Sequence, residues 1–350
     1  MFSSLPKLAE KTFIIGYLVP TVAFVLAVLG TFGDTALVKA VFKLVGTDKS
    51  FADLTVVVGA VWLLALALML LNRPIYRLME GYEPESLTRF LLKGAKAKWT
   101  AQKAKLLEVR NRAVRQGAGG GATARYRYLR RKFLRAYPDD ENLVLPTRFG
   151  NVNRAFETYA AAVHGVEAIT IWSRLSAIIP KDFQSVLGDA RSQVDCFVNL
   201  SFLAACLAVI HLVYWIWMAA GAGPLLPDAA APAAASLVTF RDRLAAPSLS
   251  ILVAGVSIIA AKIFYERAIE RAGALGEQVK TAFDLYLPKL AEALGYREPL
   301  GFAARQAFWR ELEDVYSFFK PAPPRTAPPP PAAAPTGPVL APVDEPEEED

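Results

Sequence analysis

Four apolar blocks, each long enough to cross a lipid bilayer, dominate this sequence. They run over 13–32, 54–71, 196–220 and 244–265. A helical crossing needs about 17–25 mostly apolar residues, and inside lipid the backbone must satisfy its own hydrogen bonds. None of the blocks alternates like the strand of a membrane barrel. The sequence therefore predicts an all-α membrane protein with four transmembrane helices, and it excludes an ordinary soluble domain, a disordered chain and a small disulfide scaffold.

The distribution of basic residues predicts how the chain is threaded. Between Arg73 and Arg135 there are 17 Lys and Arg against four Glu, whereas 33–53 and 221–243 carry far fewer basic residues. Because basic segments stay on the cytoplasmic side, we expect a bacterial inner-membrane protein with both termini in the cytoplasm. The first block could instead be a signal peptide, but its long apolar core contains Pro20 and no small-residue cleavage site follows, which favours a retained span.

Outside the membrane the sequence is expected to be helical. The predicted organisation is an N-terminal transmembrane hairpin (1–72), a basic cytoplasmic helical module (73–195), a second transmembrane hairpin (196–265), cytoplasmic C-terminal helices (266–319) and a disordered Pro/Ala-rich acidic tail (320–350). Apolar spacings of three and four predict an amphipathic helix from Phe149 to Val163. A helix from Lys181 is expected to run unbroken into the third span, whereas 168–172 could be strand or helix. Pro288 is expected to interrupt the helix that continues the fourth span.

Five short segments occur in an order that resembles one group of bacterial proteins. They read FIIGYLVP at 13–20, LPTRFGN at 145–151, WSRL at 172–175, AFDLY at 282–286 and WREL at 309–312. The sequence resembles an uncharacterised family of four-span integral membrane proteins. The resemblance implies a similar four-span layout, and it implies no activity, cofactor or partner.

The basic stretch offers candidate contacts for anionic lipid. Aromatic residues interleave with five basic side chains, Arg127, Arg130, Arg131, Lys132 and Arg135. Beside a membrane, each basic residue contributes about 1 kcal/mol of attraction to anionic headgroups. The alternative is a solvated helical face that only sets the topology. Single-stranded nucleic acid, which could stack on the aromatic rings, is not expected as a partner.

A second polar set surrounds the LPTRFGN segment and could bind an anion. Its members are Arg148, Asn151, Arg154, Glu157 and Arg174. Two Arg forks near a helix start could clamp a phosphate or a carboxylate. Alternatively, Arg154 and Glu157 form an ion pair on one helix turn and Arg174 pairs with Asp182 or Asp189, so that the set only ties helices together.

One ionisable residue, His211, lies inside the third span. It shares a helix face with Ser201, Ala204 and Ala208. Small residues mark helix–helix interfaces in lipid, so His211 is expected to face the bundle, where it has either a function or a hydrogen bond to another helix. We expect this face to pack on a small-residue face of the fourth block, formed by Ser250, Ala254, Ser257 and Ala261.

Several kinds of chemistry are not expected. Cys196 and Cys206 lie ten residues apart, about 15 Å along a helix, which is too far for a disulfide. With two cysteines and two histidines in the chain, a zinc site built mainly from these residues is not expected, and no other cofactor is indicated. The phosphate-loop, zinc-protease and nucleophile-elbow motifs do not occur in the sequence.

The sequence therefore predicts a non-enzymatic role for the chain. We expect a scaffold, a sensor or an assembly component that contacts an unidentified protein partner through its cytoplasmic helices. The alternative is a small-solute or ion conductor formed by a homo-oligomer, since one four-span bundle offers little room for a pore. A lipid-modifying enzyme is the third alternative.

Overall fold

The computed structural model describes residues 11–32, 51–117, 121–219, 247–321 and 324. Throughout these ranges the regular secondary structure is helical and contains no strand, which confirms the predicted all-α class. The predictions for the tail beyond residue 324 and for the segment 221–243 lie outside the described residues.

The described helices, in chain order, are α1 (Lys11–Phe32), α2 (Phe51–Leu70), α3 (Asn72–Glu80), α4 (Glu85–Gln116), α5 (Gly121–Ala136), α6 (Arg148–Glu157), α7 (Tyr159–His164), α8 (Ala168–Ile178), α9 (Lys181–Ala219), α10 (Pro247–Ala293) and α11 (Phe302–Phe318). Helix α1 contains a π-helical turn at Ile14–Leu18. The segment 168–172, which the sequence left open, belongs to α8.

Two to three of the described helices are candidate membrane spans. Lys11–Phe32 and Lys181–Trp217 are long and apolar enough, and α2 with α3 makes a third if that pair, bent by 57°, is one span. The bend falls just before Pro74, which has no N–H to continue the helical hydrogen bonds. The fourth predicted span, 244–265, begins outside the described residues and is not among these candidates.

The long helices α9 and α10 pack antiparallel and form the centre of the molecule. The Ser201 hydroxyl donates a hydrogen bond to the Ala261 carbonyl at 2.9 Å, so the two small-residue faces meet as the sequence predicts. Ser250 and Ala254 are each 1% exposed on that face. Helix α1 joins this pair, because Asn199 donates to a carbonyl of α1 at 2.9 Å.

Both central helices extend beyond the apolar segments into a helical module. Helix α9 begins at Lys181, which confirms the unbroken helix predicted there. Helix α10 continues through Pro288 to Ala293, where an interruption was expected. The fully buried Trp309 of α11 packs with Leu287 and its neighbours into one apolar cluster. Burial in this cluster offsets the hydrogen bond that the proline cannot make.

The predicted amphipathic helix 149–163 is broken into α6 and α7. The Thr158 hydroxyl donates to the carbonyl of Arg154 at 2.8 Å, and the ψ of Thr158, −7°, departs from the value of about −42° of a regular helix. Helix α7 ends at Gly165, whose φ of +79° is in the left-handed region. A side chain at Gly165 would also lie 2.7 Å from the Gln306 carbonyl of α11, so this tight turn requires glycine.

Candidate functional site

The LPTRFGN segment fastens the start of α6 to the end of α3. The Thr147 side chain accepts a hydrogen bond from the Gly150 N–H at 3.0 Å and donates to the Met79 carbonyl at 2.8 Å. Asn151 is 2% exposed; it accepts from the Leu145 N–H at 2.8 Å and donates to the Leu145 and Thr147 carbonyls at 2.7 Å each. The Asn151 amide therefore holds the turn together and is directed into the protein.

Arg148 lies on the outside of the same turn and joins α6 to α10. Its Nη1 atom contacts the Glu266 carboxylate at 2.5 and 2.7 Å, and both side chains are largely exposed. The neighbouring Phe149 N–H donates to the Tyr265 hydroxyl at 3.2 Å. An exposed ion pair contributes about 0.2–1 kcal/mol, so Arg148 does not need to stay in this pair for the fold to hold.

The carboxylate of Glu80, at the end of α3, is covered by α6. Asn153 donates to Glu80 Oε1 at 2.8 Å. Gly150 lies against the Glu80 backbone so closely that a Cβ atom there would be 2.4 Å from the Glu80 carbonyl oxygen. Burial raises the pKa of Glu80 above its ordinary value, and the hydrogen bond from Asn153 partly opposes that shift.

Arg154 and Glu157 lie together one turn further along α6. Arg154 Nη1 is 3.4 Å from Glu157 Oε2, and Arg154 Nη2 donates to the Tyr82 hydroxyl. The pKa of Glu157 is raised, chiefly by burial, while the guanidinium of Arg154 acts in the opposite direction. The predicted Arg154–Glu157 ion pair is therefore present, and it is half-buried.

A cavity of about 550 Å³ opens between α3, α6, α8, α9 and α10. Its wall is mostly apolar and includes Phe156, Trp172 and Phe283. The charged groups of the wall are Glu80, Glu157 and Arg191. The cavity thus combines a large apolar wall with a few placed charges, which is the usual composition of a ligand site.

A buried carboxylate, Asp195, lies where α1, α3 and α9 meet. It is 5% exposed and accepts hydrogen bonds from the Tyr76 hydroxyl at 2.6 Å and from the Tyr17 hydroxyl at 3.4 Å. Arg191 Nε is 4.0 Å away, one turn earlier on α9. This cluster ties α1 to α3 and α9, and Tyr76 also lines the cavity.

A separate groove of about 420 Å³ lies between α4 and the start of α6. Lys93, Lys98 and Arg148 line it. The apolar side chains of Phe90 and Leu91 lie in the same groove and are 79% and 41% exposed. Neither Lys93 nor Lys98 forms an ion pair with a carboxylate in the described part of the chain.

The five basic residues predicted to meet lipid are all exposed on α5. They are Arg127, Arg130, Arg131, Lys132 and Arg135. Helix α5 packs on α4 through Phe133 and Trp99, whose rings are 5.9 Å apart. Arg135 Nε also lies 3.4 Å from a carboxylate oxygen of Glu277. None of the five side chains lines the groove.

Within the described ranges Arg174 forms no ion pair, either with Glu157 of its predicted set or with Asp182 or Asp189, and Asp189 pairs with Lys11. The Arg174 guanidinium carbon lies 3.8 Å from the centre of the Tyr316 ring, and its Nη1 atom donates to the Thr170 carbonyl at 3.1 Å. A cation over an aromatic face contributes about 0.5–2 kcal/mol. Arg174 thus fastens α8 to α11.

His211 faces the helix bundle, as the small-residue pattern predicts. It is 1% exposed, and its ring centre is 4.7 Å from that of Phe32 in α1. Within the described ranges, neither ring nitrogen has a hydrogen-bond partner. The interaction that the described residues provide for the His211 ring is therefore its stacking on Phe32.

A third polar cluster, which the sequence analysis did not identify, joins α7 to α10. Asp284 accepts from the Tyr159 hydroxyl at 2.9 Å and lies 2.9 Å from His164 Nε2. Burial and the hydrogen bond to Asp284 raise the pKa of Tyr159 to about 12. Asp284 belongs to the AFDLY segment, and nothing in the spacing of that segment connects it with Tyr159 and His164, which lie 125 and 120 positions earlier.

The structure thus divides the predicted anion set among different places. Arg154 and Glu157 adjoin each other, Arg148 lines the groove, Asn151 holds a turn and Arg174 lies between α8 and α11. Sequence reasoning missed the contributions of Glu80, Lys93 and Lys98, which depend on helices brought together by folding.

In the described ranges no group of three His, Cys, Asp or Glu could hold a metal ion. No family model, curated protein or solved structure matches the chain.

Proposed function

We propose that the chain is a four-span protein of the bacterial inner membrane, with both termini in the cytoplasm, that acts as a non-enzymatic scaffold or sensor. The excess of basic residues between the second and third spans supports this orientation. Helices α9 and α10 support a link between membrane and module, because each continues from an apolar segment into the module without a break.

The observation that carries the proposal is the position of the 550 Å³ cavity. Val194 of its wall directly precedes the buried Asp195 at the start of the third span, and Leu275 of its wall lies on α10. A molecule held in the cavity would therefore contact both helices that enter the membrane. Binding there would bias the packing of α9 on α10, which is the kind of bistable contact that a sensor requires.

The chemistry of the cavity indicates its occupant. Glu80 and Glu157 are carboxylates whose burial is unfavourable while they are charged, and a basic group would relieve that cost. Ile169 lines the cavity and is 75% exposed, and large exposed apolar side chains contribute to partner sites. We infer that the occupant is an apolar segment of a protein partner that carries a basic side chain.

Site-specific photo-crosslinking in native membranes tests this proposal. A photoreactive residue at Ile169 should give an adduct with one partner protein, and Glu157→Gln should reduce the yield of that adduct. The matched control is Ile259, an exposed side chain on the apolar part of α10 that is 61% exposed. Adducts between copies of the chain at Ile259, with none at Ile169, would reject the proposal and favour the oligomeric conductor.

Anionic lipid is a further proposed partner of the exposed basic face of α5. Long-range attraction needs no defined pocket, and it is screened within about 8 Å at physiological salt. A contact of this kind should weaken steeply with salt. It would hold the module near the membrane without selecting one lipid.

A further inference from the structure

The groove between α4 and α6 carries an uncompensated positive charge. Of its three basic side chains, Arg148 is paired with Glu266. Lys93 and Lys98 are exposed, and no carboxylate of the described ranges pairs with them. Two unpaired positive charges therefore line one groove with a volume of about 420 Å³. An anionic group would complement them.

The contacts of this groove hold it next to the ends of the predicted spans. The Arg148–Glu266 pair places one wall beside Tyr265, the last residue of the fourth apolar block. The Thr147–Met79 hydrogen bond ties the same wall to α3, which directly follows the second block. A groove fastened at both of these points lies where lipid headgroups would be.

The apolar rim of the groove distinguishes a lipid from a free anion. Phe90 is 79% exposed and Leu91 is 41% exposed, beside the two lysines. Aromatic and apolar side chains next to basic ones are typical of the lipid–water interface, where the ring enters the acyl region and the cation stays among headgroups. A soluble phosphate ester would use the lysines and leave this rim unpartnered.

We propose that the groove binds the headgroup of an anionic phospholipid, with Lys93 and Lys98 on its phosphate and Phe90 in the adjoining acyl layer. The inference rests on the proposed membrane location and adds a defined site to the diffuse contact of α5. It also gives Arg148 a role in shaping the groove through its pair with Glu266.

The experiment uses the full chain, purified in a neutral detergent, with bound lipid counted by native mass spectrometry. Dioctanoyl phosphatidylglycerol should bind at least about tenfold more tightly than dioctanoyl phosphatidylcholine. Lys93→Gln/Lys98→Gln should weaken phosphatidylglycerol binding by about tenfold. The control Lys105→Gln/Arg110→Gln removes the same charge from exposed positions of α4 with the same spacing, and it should change binding less than about twofold.

A second variant tests the groove without changing charge. A Cβ atom at Gly94 in the groove meets nothing within 4 Å, so Gly94→Leu should fold normally and fill the space, again weakening phosphatidylglycerol by about tenfold. Equal binding of the two lipids, an equal loss in the Lys105/Arg110 control or no loss in the Gly94 variant would each overturn the proposal. Glycerol 3-phosphate binding as tightly as phosphatidylglycerol would replace the lipid with a soluble ligand. None of these outcomes alters the crosslinking result at Ile169, so the two proposals fail separately.

Discussion

Replacing Gly150 with alanine should separate α6 from α3, although alanine is the better helix former. A Cβ atom at Gly150 would lie 2.4 Å from the Glu80 carbonyl oxygen, and backbone at that site cannot swing aside as a flexible side chain can. Relief requires a movement of roughly 1 Å, because carbon–oxygen contacts are about 3.3–3.6 Å. That movement also strains the Thr147–Met79 and Asn153–Glu80 hydrogen bonds.

The expected loss can be worked out from these contacts. Overpacking costs about 1–3 kcal/mol, and two weakened hydrogen bonds add about 1 kcal/mol each. The helix propensity of alanine returns about 1 kcal/mol, which leaves a net loss of about 2–4 kcal/mol. At roughly 2–4 °C per kcal/mol, the midpoint of thermal unfolding in detergent should fall by about 4–16 °C.

The same substitution at Gly94 is the matched control. Gly94 lies within α4, and a Cβ atom there meets nothing within 4 Å. Gly94→Ala should therefore raise the midpoint by about 2–4 °C, because only the propensity term acts. Thermal unfolding followed by tryptophan fluorescence distinguishes the two signs. If Gly150→Ala were neutral or stabilising, the close approach of α6 to α3 would be refuted.

Three further predictions address the turn, the cavity and the threading. Asn151→Leu should cost about 3 kcal/mol in the free energy of unfolding, because it strands the Leu145 N–H and carbonyl and removes one of the two hydrogen bonds to the Thr147 carbonyl; an unchanged midpoint would contradict this. Burial raises the pKa of Glu157 in the folded state above its ordinary value of 4.5, so protonation of Glu157 favours the folded state. This contribution to stability is fully present below pH 4.5 and is lost as the pH rises through the raised pKa. Glu157→Gln should therefore flatten the decline of the unfolding midpoint above pH 4.5, and a decline as steep as in the unmodified chain would count against burial as the cause. Reporter fusions at Gly119 and Pro232 should indicate opposite compartments, and the same compartment for both would exclude the four-span layout.

The sequence predicted the parts of the fold that depend on local patterns. Apolar length located two to three candidate membrane spans, and the spacing of small residues predicted how α9 meets α10 at Ser201 and Ala261. The sequence did not predict the break between α6 and α7 at Thr158, since the apolar spacing continues across that residue. Helix α7 ends only at the Gly165 turn, which packs against α11. Tertiary packing likewise outweighed the local effect of Pro288.

The candidate site was harder to predict because its residues are distant in sequence. Side-chain type drew attention to Arg148, Asn151 and Arg154, yet type alone does not distinguish an amide that binds a ligand from one that closes a turn. Asn151 closes a turn, as its three hydrogen bonds within 145–151 make plain. Lys93 was one of 17 basic residues between Arg73 and Arg135, and only the approach of α6 to α4 separates it from the rest.

Helix α6 is the element that the groove and the cavity share. Its first turn, with Arg148 and Asn151, lines the groove, whereas Asn153 and Glu157 further along line the cavity. Packed interfaces have discrete arrangements and do not deform continuously, so a shift of α6 at one site must be accommodated at the other. If both proposals hold, a lipid in the groove and a partner segment in the cavity bind the same short helix from two sides. The close approach of Gly150 to the Glu80 backbone fixes α6 against α3. It would then determine how strongly binding at one site changes the affinity of the other site.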